Sequence, residues 1–159
     1  AETVHAIERV RVAGSSVLSV ENKESFYVLA RHLRRGSLPE RYGAITYCGG
    51  YPHDAYGSLL RQFSQSGALL EHFGDLDADG LLILKETERV AGTPVSPRGM
   101  NGPLYRRFLE YGLDVADSRL DRLRAALDSL PHSVHELAHL ILEHGRGVEQ
   151  EVIGLEDLF

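Results

Sequence analysis

Cysteine is almost absent from this sequence, and Cys48 is its single example. One cysteine can form neither an internal disulfide nor a thiolate zinc site, so we expect a reducing, cytoplasmic setting. Long apolar runs are missing too, and no stretch approaches the roughly 20 residues that a membrane-spanning helix needs. The opening "AETVHAIERV" lacks a basic region followed by an apolar core, which predicts that there is no signal peptide. No association with a membrane is therefore expected.

Positive charge is also in short supply. Lysine and arginine number 17 against 23 acidic residues, and the net charge is −6. This balance argues against a generic basic coat for nucleic acid, but a metal-dependent nuclease keeps acidic residues at its centre and remains compatible with it. The basic residues are clustered, and the clusters fit solvated helix faces and phosphate-binding sites equally well. They are "RHLRR" (31–35), "YRRF" (105–108), and Arg119, Arg122 and Arg124.

The first two thirds of the chain alternate between short apolar runs and segments of helical periodicity. Alternation of this kind predicts an α/β fold with a parallel sheet, in which the carboxyl ends of the strands share one edge. Strands are predicted at 14–20, 44–49 and 68–77, and helices at 22–35, 53–67 and 79–92.

The pattern changes after residue 92. The stretch "TPVSPRGMNGP" predicts a short strand and a turn-rich loop, and three further helices are expected at about 102–111, 116–129 and 132–144. We therefore predict one domain over 1–159, with a core at about 14–100 and a helical C-terminal portion at about 101–159. The absence of an initial methionine suggests an expressed fragment or a processed start.

Acidic residues follow two of the predicted strands. Glu21 comes after the first strand, and Asp75, Asp77 and Asp79 lie at or beyond the end of the third. In open α/β sheets ligands bind at this edge, and an extended segment would place Asp75 and Asp77 on the same side. Neighbouring carboxylates repel each other unless a cation neutralises them, and oxygen ligands suit Mg²⁺ or Mn²⁺. A metal-dependent phosphoryl-transfer site is therefore predicted.

The stretch "HELAH" (135–139) indicates a competing chemistry, because H-E-x-x-H places two zinc-binding histidines and a general-base glutamate on one helix. His135 and His139 do share a helix face, but it is also the polar face of an amphipathic helix whose apolar stripe is formed by residues 134, 137, 138 and 141. A third ligand would have to come from the few acids downstream. A zinc metalloprotease is therefore retained as the weaker alternative. A calcium loop is formally matched over 75–86, but an apolar helix occupies its second half.

Three motifs together resemble a toprim domain, the metal-binding, nucleic-acid-cleaving fold of topoisomerases and related nucleases. "SVENKESF", "CGGYPHDAYGSLLRQF" and "GDLDADG" are similar to segments of the branch that contains the topoisomerase VI A subunit and the meiotic double-strand-break enzymes. Together with the late "VEQEVI" (148–153), they most closely resemble the JetD family, the nuclease subunits of the bacterial Wadjet plasmid-defence system.

The resemblance implies a divalent-metal-dependent DNA endonuclease that acts on foreign plasmid DNA with the subunits of an SMC-like motor complex. It assigns the metal and catalytic roles to Glu21, Asp75 and Asp77, with Asp79 as a further metal ligand. Lys23, Glu24 and Glu151 would support the site. Relatives in the topoisomerase branch carry a nucleophilic tyrosine on a domain that precedes the toprim domain. The given sequence starts just before the first toprim strand, so we expect water as the nucleophile and expect the chain to be the C-terminal part of a longer protein. A homodimer is expected by analogy, and a non-catalytic toprim-like module that binds DNA or partners is the alternative.

Overall fold

The computed structural model of the protein describes residues 10–159. The prediction about a signal peptide therefore concerns a segment, 1–9, that lies outside the described residues. Within 10–159, none of the helices has the length and apolar character needed to cross a membrane. The strands are β1 (Ser16–Val20), β2 (Tyr42–Tyr47), β3 (Leu69–Phe73), β4 (Ser96–Pro97), β5 (Leu113–Asp114) and β6 (Arg146–Gly147). The helices are α1 (Lys23–Arg34), α2 (Asp54–Gln65), α3 (Ala78–Ala91), α4 (Gly102–Phe108), α5 (Asp117–Ala126), α6 (His135–His144) and α7 (Leu155–Leu158).

A four-stranded sheet in the order β2-β1-β3-β4 forms the centre of the fold. Every neighbouring pair is parallel. All five residues of β1 are buried, as expected of a strand that has partners on both sides and helices over the sheet. The predicted α/β class, a parallel sheet flanked by helices, is therefore confirmed. The short strand expected after residue 92 is β4.

Local sequence signals set the limits of the helices. Asn22 caps α1 by accepting hydrogen bonds from two backbone N–H groups, and Asp77 caps α3 through the N–H of Gly80. Gly92 and Gly145 end α3 and α6 in the left-handed conformation, with φ of 65° and 63°. These are the positions at which a glycine relieves the steric cost of a positive φ.

The third strand differs from its prediction over 68–77, because it ends at Phe73. Only a short extended piece continues beyond it, where Leu76 forms an isolated antiparallel bridge with Val148. The reason is that Asp77 is used as the cap of α3, so the chain turns into the helix there instead of continuing the ladder.

The C-terminal helices pack onto the same core. Leu137, Ala138 and Ile141 of α6 are fully buried, as is Val134 just before the helix. The amphipathic interpretation of the "HELAH" helix is confirmed by this burial. The antiparallel pair β5–β6 was not predicted, since two-residue strands carry no periodicity.

Candidate functional site at the carboxyl ends of β1 and β3

The end of β1 is joined directly to the end of β3. The N–H of Glu21 donates to the carbonyl of Phe73 at 3.0 Å, and one carboxylate oxygen of Glu21 accepts from the N–H of Asp75 at 3.2 Å. Two acids separated by 53 intervening residues thus meet, because β1 and β3 are adjacent and parallel. The adjacency that the sequence predicted for Glu21 and the aspartate cluster is confirmed.

Asp75 is held by the C-terminal segment of the chain. Leu76 is fully buried, and its N–H donates to the carbonyl of Val148 at 2.8 Å. Two residues further on, the N–H of Gln150 donates to Asp75 Oδ1 at 2.8 Å. The segment 148–150 therefore forms one wall of the site.

Asp77 has a structural role beside any chemical one. Its Oδ1 accepts the N–H of Gly80 at 2.7 Å as the cap of α3. The backbone around it is closely packed, because a Cβ at Gly80 would overlap the carbonyl of Asp75 and a Cβ at Gly147 would overlap the Cβ of Asp77. The two glycines therefore allow the loop 75–80 to fold tightly against β6.

Asp79 lies among cationic and aromatic groups. Arg119 Nε is 3.2 Å from its Oδ2, and Arg122 Nη1 is 3.3 Å from its Oδ1. Tyr51, from the "CGGYP" loop after β2, donates its hydroxyl to the same carboxylate at 3.3 Å and accepts from Arg122 at 2.7 Å. The negative charge of Asp79 is thus balanced by two guanidinium groups from α5.

Burial and mutual repulsion make the central acids weak. Loss of solvent, followed by the negative charge of Asp75, raises the pKa of Glu21 to about 8. Burial likewise raises the pKa of Asp75 to about 7, although the N–H of Gln150 opposes the shift. The pKa of Asp77 is raised above its usual range by burial as well. Near neutral pH, therefore, the carboxyl groups of Glu21 and Asp75 both titrate.

The donor chemistry of the site suits a hard cation such as Mg²⁺ or Mn²⁺, since all its central ligands would be carboxylate oxygens. Glu21 and Asp75 each use one oxygen to accept a backbone N–H, and each leaves its second oxygen without a hydrogen bond from the residues described. Within residues 10–159, no group of three or more His, Cys, Asp or Glu side chains stands close enough together to hold an ion. The residues thus fit the metal in kind, but their side chains are not gathered around one point.

The three residues predicted to support the site are differently placed. Lys23 and Glu24 are exposed on the first turn of α1, and neither makes a hydrogen bond or ion pair with a site carboxylate. Lys23 Nζ lies 5.9 Å from the centroid of the Tyr27 ring. Glu151 accepts a hydrogen bond from Asn22 Nδ2 at 2.6 Å, which ties it to the residue next to Glu21.

His72, three residues before Asp75, is a buried group of the site that the sequence offers either as a residue orienting a carboxylate or as a histidine packed within the strand. It is fully buried on β3, its Nδ1 lies 3.0 Å from Ser19 Oγ, and its Nε2 has no partner. Burial lowers the pKa of His72 to about 3, so its ring is neutral. A Cβ at Gly74 would lie 2.9 Å from His72 Nε2 and 2.8 Å from Glu21 Oε2. The missing side chain of Gly74 therefore leaves the imidazole and the carboxylate on either side of one small space.

Gln150 links the two strand ends and was not singled out from the sequence. It is 1% exposed; its side-chain oxygen accepts the N–H of Asn22 at 2.9 Å, and its amide nitrogen donates to the carbonyl of Phe73. The only signal in the sequence was its place in "VEQEVI", one of the segments that carry the family resemblance. Replacing both the side-chain donor and acceptor would leave the part-buried N–H of Asn22 unpaired, whereas the carbonyl of Phe73 would keep its bond from the N–H of Glu21.

We expect Gln150→Leu to lower the free energy of unfolding by about 1–3 kcal/mol, because the N–H of Asn22 loses its acceptor and the carbonyl of Phe73 loses one of its two donors. Chemical denaturation would measure this loss. The neighbouring exposed Glu149→Gln is the control and should change stability little. Equal free energies of unfolding for the Gln150 variant and the parent would show that the link between the strand ends does not stabilise the fold.

The polar residues of "HELAH" do not converge on a metal position. His135 Nε2 lies 3.1 Å from the carbonyl of Leu130, and Glu136 forms an ion pair with Arg106 at 2.8 Å. His139 is exposed on the opposite face of the helix from its buried stripe. The geometry gives the alternative zinc interpretation no support among the residues described.

Comparison with known proteins gives the family of the chain. The sequence profile of the family described as "Wadjet protein JetD, C-terminal" matches residues 1–159. The chain is also similar to the Wadjet protein JetD of Bacillus cereus (strain Q1), with 27% identity over 157 residues. That alignment covers 96% of this chain and 37% of the relative, so the chain spans little more than a third of the relative's length. The chain belongs to the JetD family and corresponds to its C-terminal region.

Proposed function

We propose that the chain is a divalent-metal-dependent DNA endonuclease domain of the toprim type. It would cleave plasmid DNA within a Wadjet defence complex that includes an SMC-like motor. The observation that carries this proposal is the contact between Glu21 and Asp75 across the ends of two adjacent parallel strands, with both pKa values raised toward neutrality. Family membership supports the setting in defence.

Glu21, Asp75 and Asp77 would hold Mg²⁺ or Mn²⁺, with Asp79 close by. The cation would supply charge neutralisation at the phosphate and a more acidic water. The chain's own contribution is the placement of the acids: Asp75 is oriented by the N–H of Gln150, and Glu21 by the N–H of Asp75. A carboxyl group of pKa about 8 exchanges a proton readily near neutral pH, which suits Glu21 to general acid–base work. We propose water as the nucleophile.

Two features of Asp79 favour a supporting role for it over direct ligation. Its carboxylate faces Arg119 and Arg122, and Tyr51 donates to it. A metal ligand with two guanidinium partners would have to give up those contacts. In the resting site, therefore, we assign Asp79 to holding the two arginines and Tyr51 at the edge of the sheet, where they would face a phosphate.

A non-catalytic module that binds DNA or partner subunits is the second candidate. It is favoured by one specific observation: within 10–159 the acids do not already surround a common ligand position. A homodimer, expected by analogy, is compatible with both candidates.

Plasmid cleavage by the full-length protein together with its partner subunits separates the two candidates. We expect cutting of circular DNA in Mn²⁺ or Mg²⁺ and none in EDTA. Cleavage that continues in EDTA would contradict the metal-dependent proposal. DNA binding without cleavage in any divalent metal would favour the non-catalytic module.

A further inference from the structure

One exposed face of α1 carries a row of cations. At 100° per residue, Lys23, Tyr27, Arg31, Arg34 and Arg35 fall within about a third of the helix circumference. We call these five residues the α1 stripe, and all five are exposed. The opposite side of the helix holds Leu29, which is 1% exposed, so the stripe faces away from the core.

The cations of the stripe have no carboxylate partners among residues 10–159. Nine other arginines in that part of the chain are engaged in ion pairs, whereas Arg31, Arg34 and Arg35 are in none. In a chain of net charge −6, unpaired cations gathered on one helix face form a local field of the opposite sign. Such a field attracts a polyanion.

Helix electrostatics account for only part of this arrangement. Arg31 and Arg34 lie in the last turn of α1, where the helix dipole favours positive charge. Lys23, however, is the first residue of the helix, where a cation is disfavoured. Tyr27, between the two ends, is 52% exposed with Lys23 over its ring. Neither Lys23 nor Tyr27 is therefore explained by a role in stabilising the helix.

The stripe begins at the candidate site. Lys23 is two residues from Glu21, and α1 extends from there for 12 residues, or about 18 Å at 1.5 Å per residue. That length matches roughly five steps of one strand of a duplex at 3.4 Å per step. Along it lies an open depression of about 590 Å³, lined by Glu24, Tyr27, Ala30, Arg31, Arg34 and Arg35. Three guanidinium groups there outnumber the single carboxylate.

From these observations we infer that the α1 stripe is the surface that holds the sugar–phosphate backbone of duplex DNA next to the Glu21–Asp75 site. The inference rests on the proposed function and adds the position of the substrate. Cations along the backbone would offset the repulsion between phosphates and the acidic centre, and they would do so without regard to base sequence. Tyr27 offers its ring edge and hydroxyl to the sugar and phosphate.

The test compares two triple variants of the full-length protein, R31Q/R34Q/R35Q and R89Q/R106Q/R124Q. Both remove three positive charges, but the second set lies on α3, α4 and α5, where each arginine is exposed and ion-paired. Binding to a labelled linear duplex is measured at several salt concentrations in the Asp75→Asn background, which prevents cutting. Thermal unfolding checks that both variants are folded.

We expect the stripe variant to bind at least about tenfold more weakly at 0.1 M salt. Each phosphate contact contributes about 0.9 to the slope of log K against log salt, so the slope should fall by roughly 3. The control variant should stay within twofold of the parent. In the cleavage assay with Asp75 intact, the stripe variant should raise KM and leave kcat at saturating DNA within twofold, because its residues do not touch the reacting phosphate.

An unchanged affinity and slope in the stripe variant, or an equal loss in the control, would overturn the inference while leaving the proposed function intact. So would a stripe variant that keeps its DNA affinity but no longer binds a partner subunit, since the surface would then recognise protein. If the unaltered full-length protein with its partners neither binds nor cuts DNA in Mn²⁺, the proposed function fails and the inference fails with it.

Discussion

Asp75→Asn and Glu21→Gln should each lower metal-dependent DNA cleavage by at least about a hundredfold while leaving the fold intact. The amide oxygens can still accept the N–H of Gln150 and of Asp75, so the local hydrogen bonds survive. What is lost is the negative charge that would bind the cation and exchange the proton. The measurement is the rate of plasmid cutting in Mn²⁺ by the full-length protein with its partners, beside its melting temperature.

His139→Ala is the matched control for that experiment. His139 is exposed on α6, and its replacement should leave both cleavage and stability unchanged. A cleavage rate at the level of the parent in Asp75→Asn would refute the assignment of the site. Stoichiometric zinc in the parent protein that disappears in His139→Ala would instead revive the metalloprotease interpretation of "HELAH".

The stability of the metal-free protein should fall as the pH rises from about 6.5 to 9. Glu21 has a folded pKa of about 8 against an ordinary value of 4.5, so in this range the folded state binds more protons than the unfolded state. By linkage, the stabilising effect of the protonated carboxyl is complete below pH 4.5. It declines as the pH rises above that value and is fully lost once the pH has passed 8. The loss over this window is on the order of 2 kcal/mol for Glu21, and Asp75, with a pKa of about 7, adds to it.

The pH range must start at 6.5 because the titration of His72 changes stability in the opposite direction below that pH. Its folded pKa is about 3 against 6.5, so its contribution to stability grows as the pH rises to 6.5 and is constant above that. Urea denaturation in EDTA between pH 6.5 and 9 therefore isolates the carboxyl groups.

Two comparisons make the pH experiment specific. Glu21→Gln should flatten the decline, whereas Glu40→Gln, at an exposed loop position, should leave it unchanged. Added Mg²⁺ should restore stability at pH 8 because the cation favours the ionised carboxylates. A free energy of unfolding that is constant from pH 6.5 to 9 in the parent protein would contradict the raised pKa values of Glu21 and Asp75.

Much of the secondary structure could be predicted from the sequence, because the elements around β1, α1 and α2 carry strong periodic and capping signals. The limits of β3 could not. Asp77, which follows it, is used as a helix cap. Whether the chain continues as a strand or turns into the helix depends on tertiary contacts such as the bridge of Leu76 to Val148. The pair β5–β6 is too short to leave any pattern in the sequence.

The site divides in the same way. The order of Glu21 and the aspartates along the chain was enough to predict that they meet, given the rule that parallel strands end at one edge. Gln150 was beyond that reasoning because it comes from a distant segment. The position of His72 beside the acids was visible in the sequence, but its complete burial and unpaired nitrogen were not.

The sequence by itself determined the α/β class, the resemblance to the JetD family and the choice of candidate acids, because these depend on local periodicity and on motif order. The tertiary structure alone decided which carboxyl groups lose solvent and titrate near neutral pH, that Asp79 is paired with two arginines of α5, and that the α1 stripe is exposed and begins beside Glu21. Such properties depend on distances between residues far apart in the chain and on how much water reaches them. Neither quantity is written in local sequence.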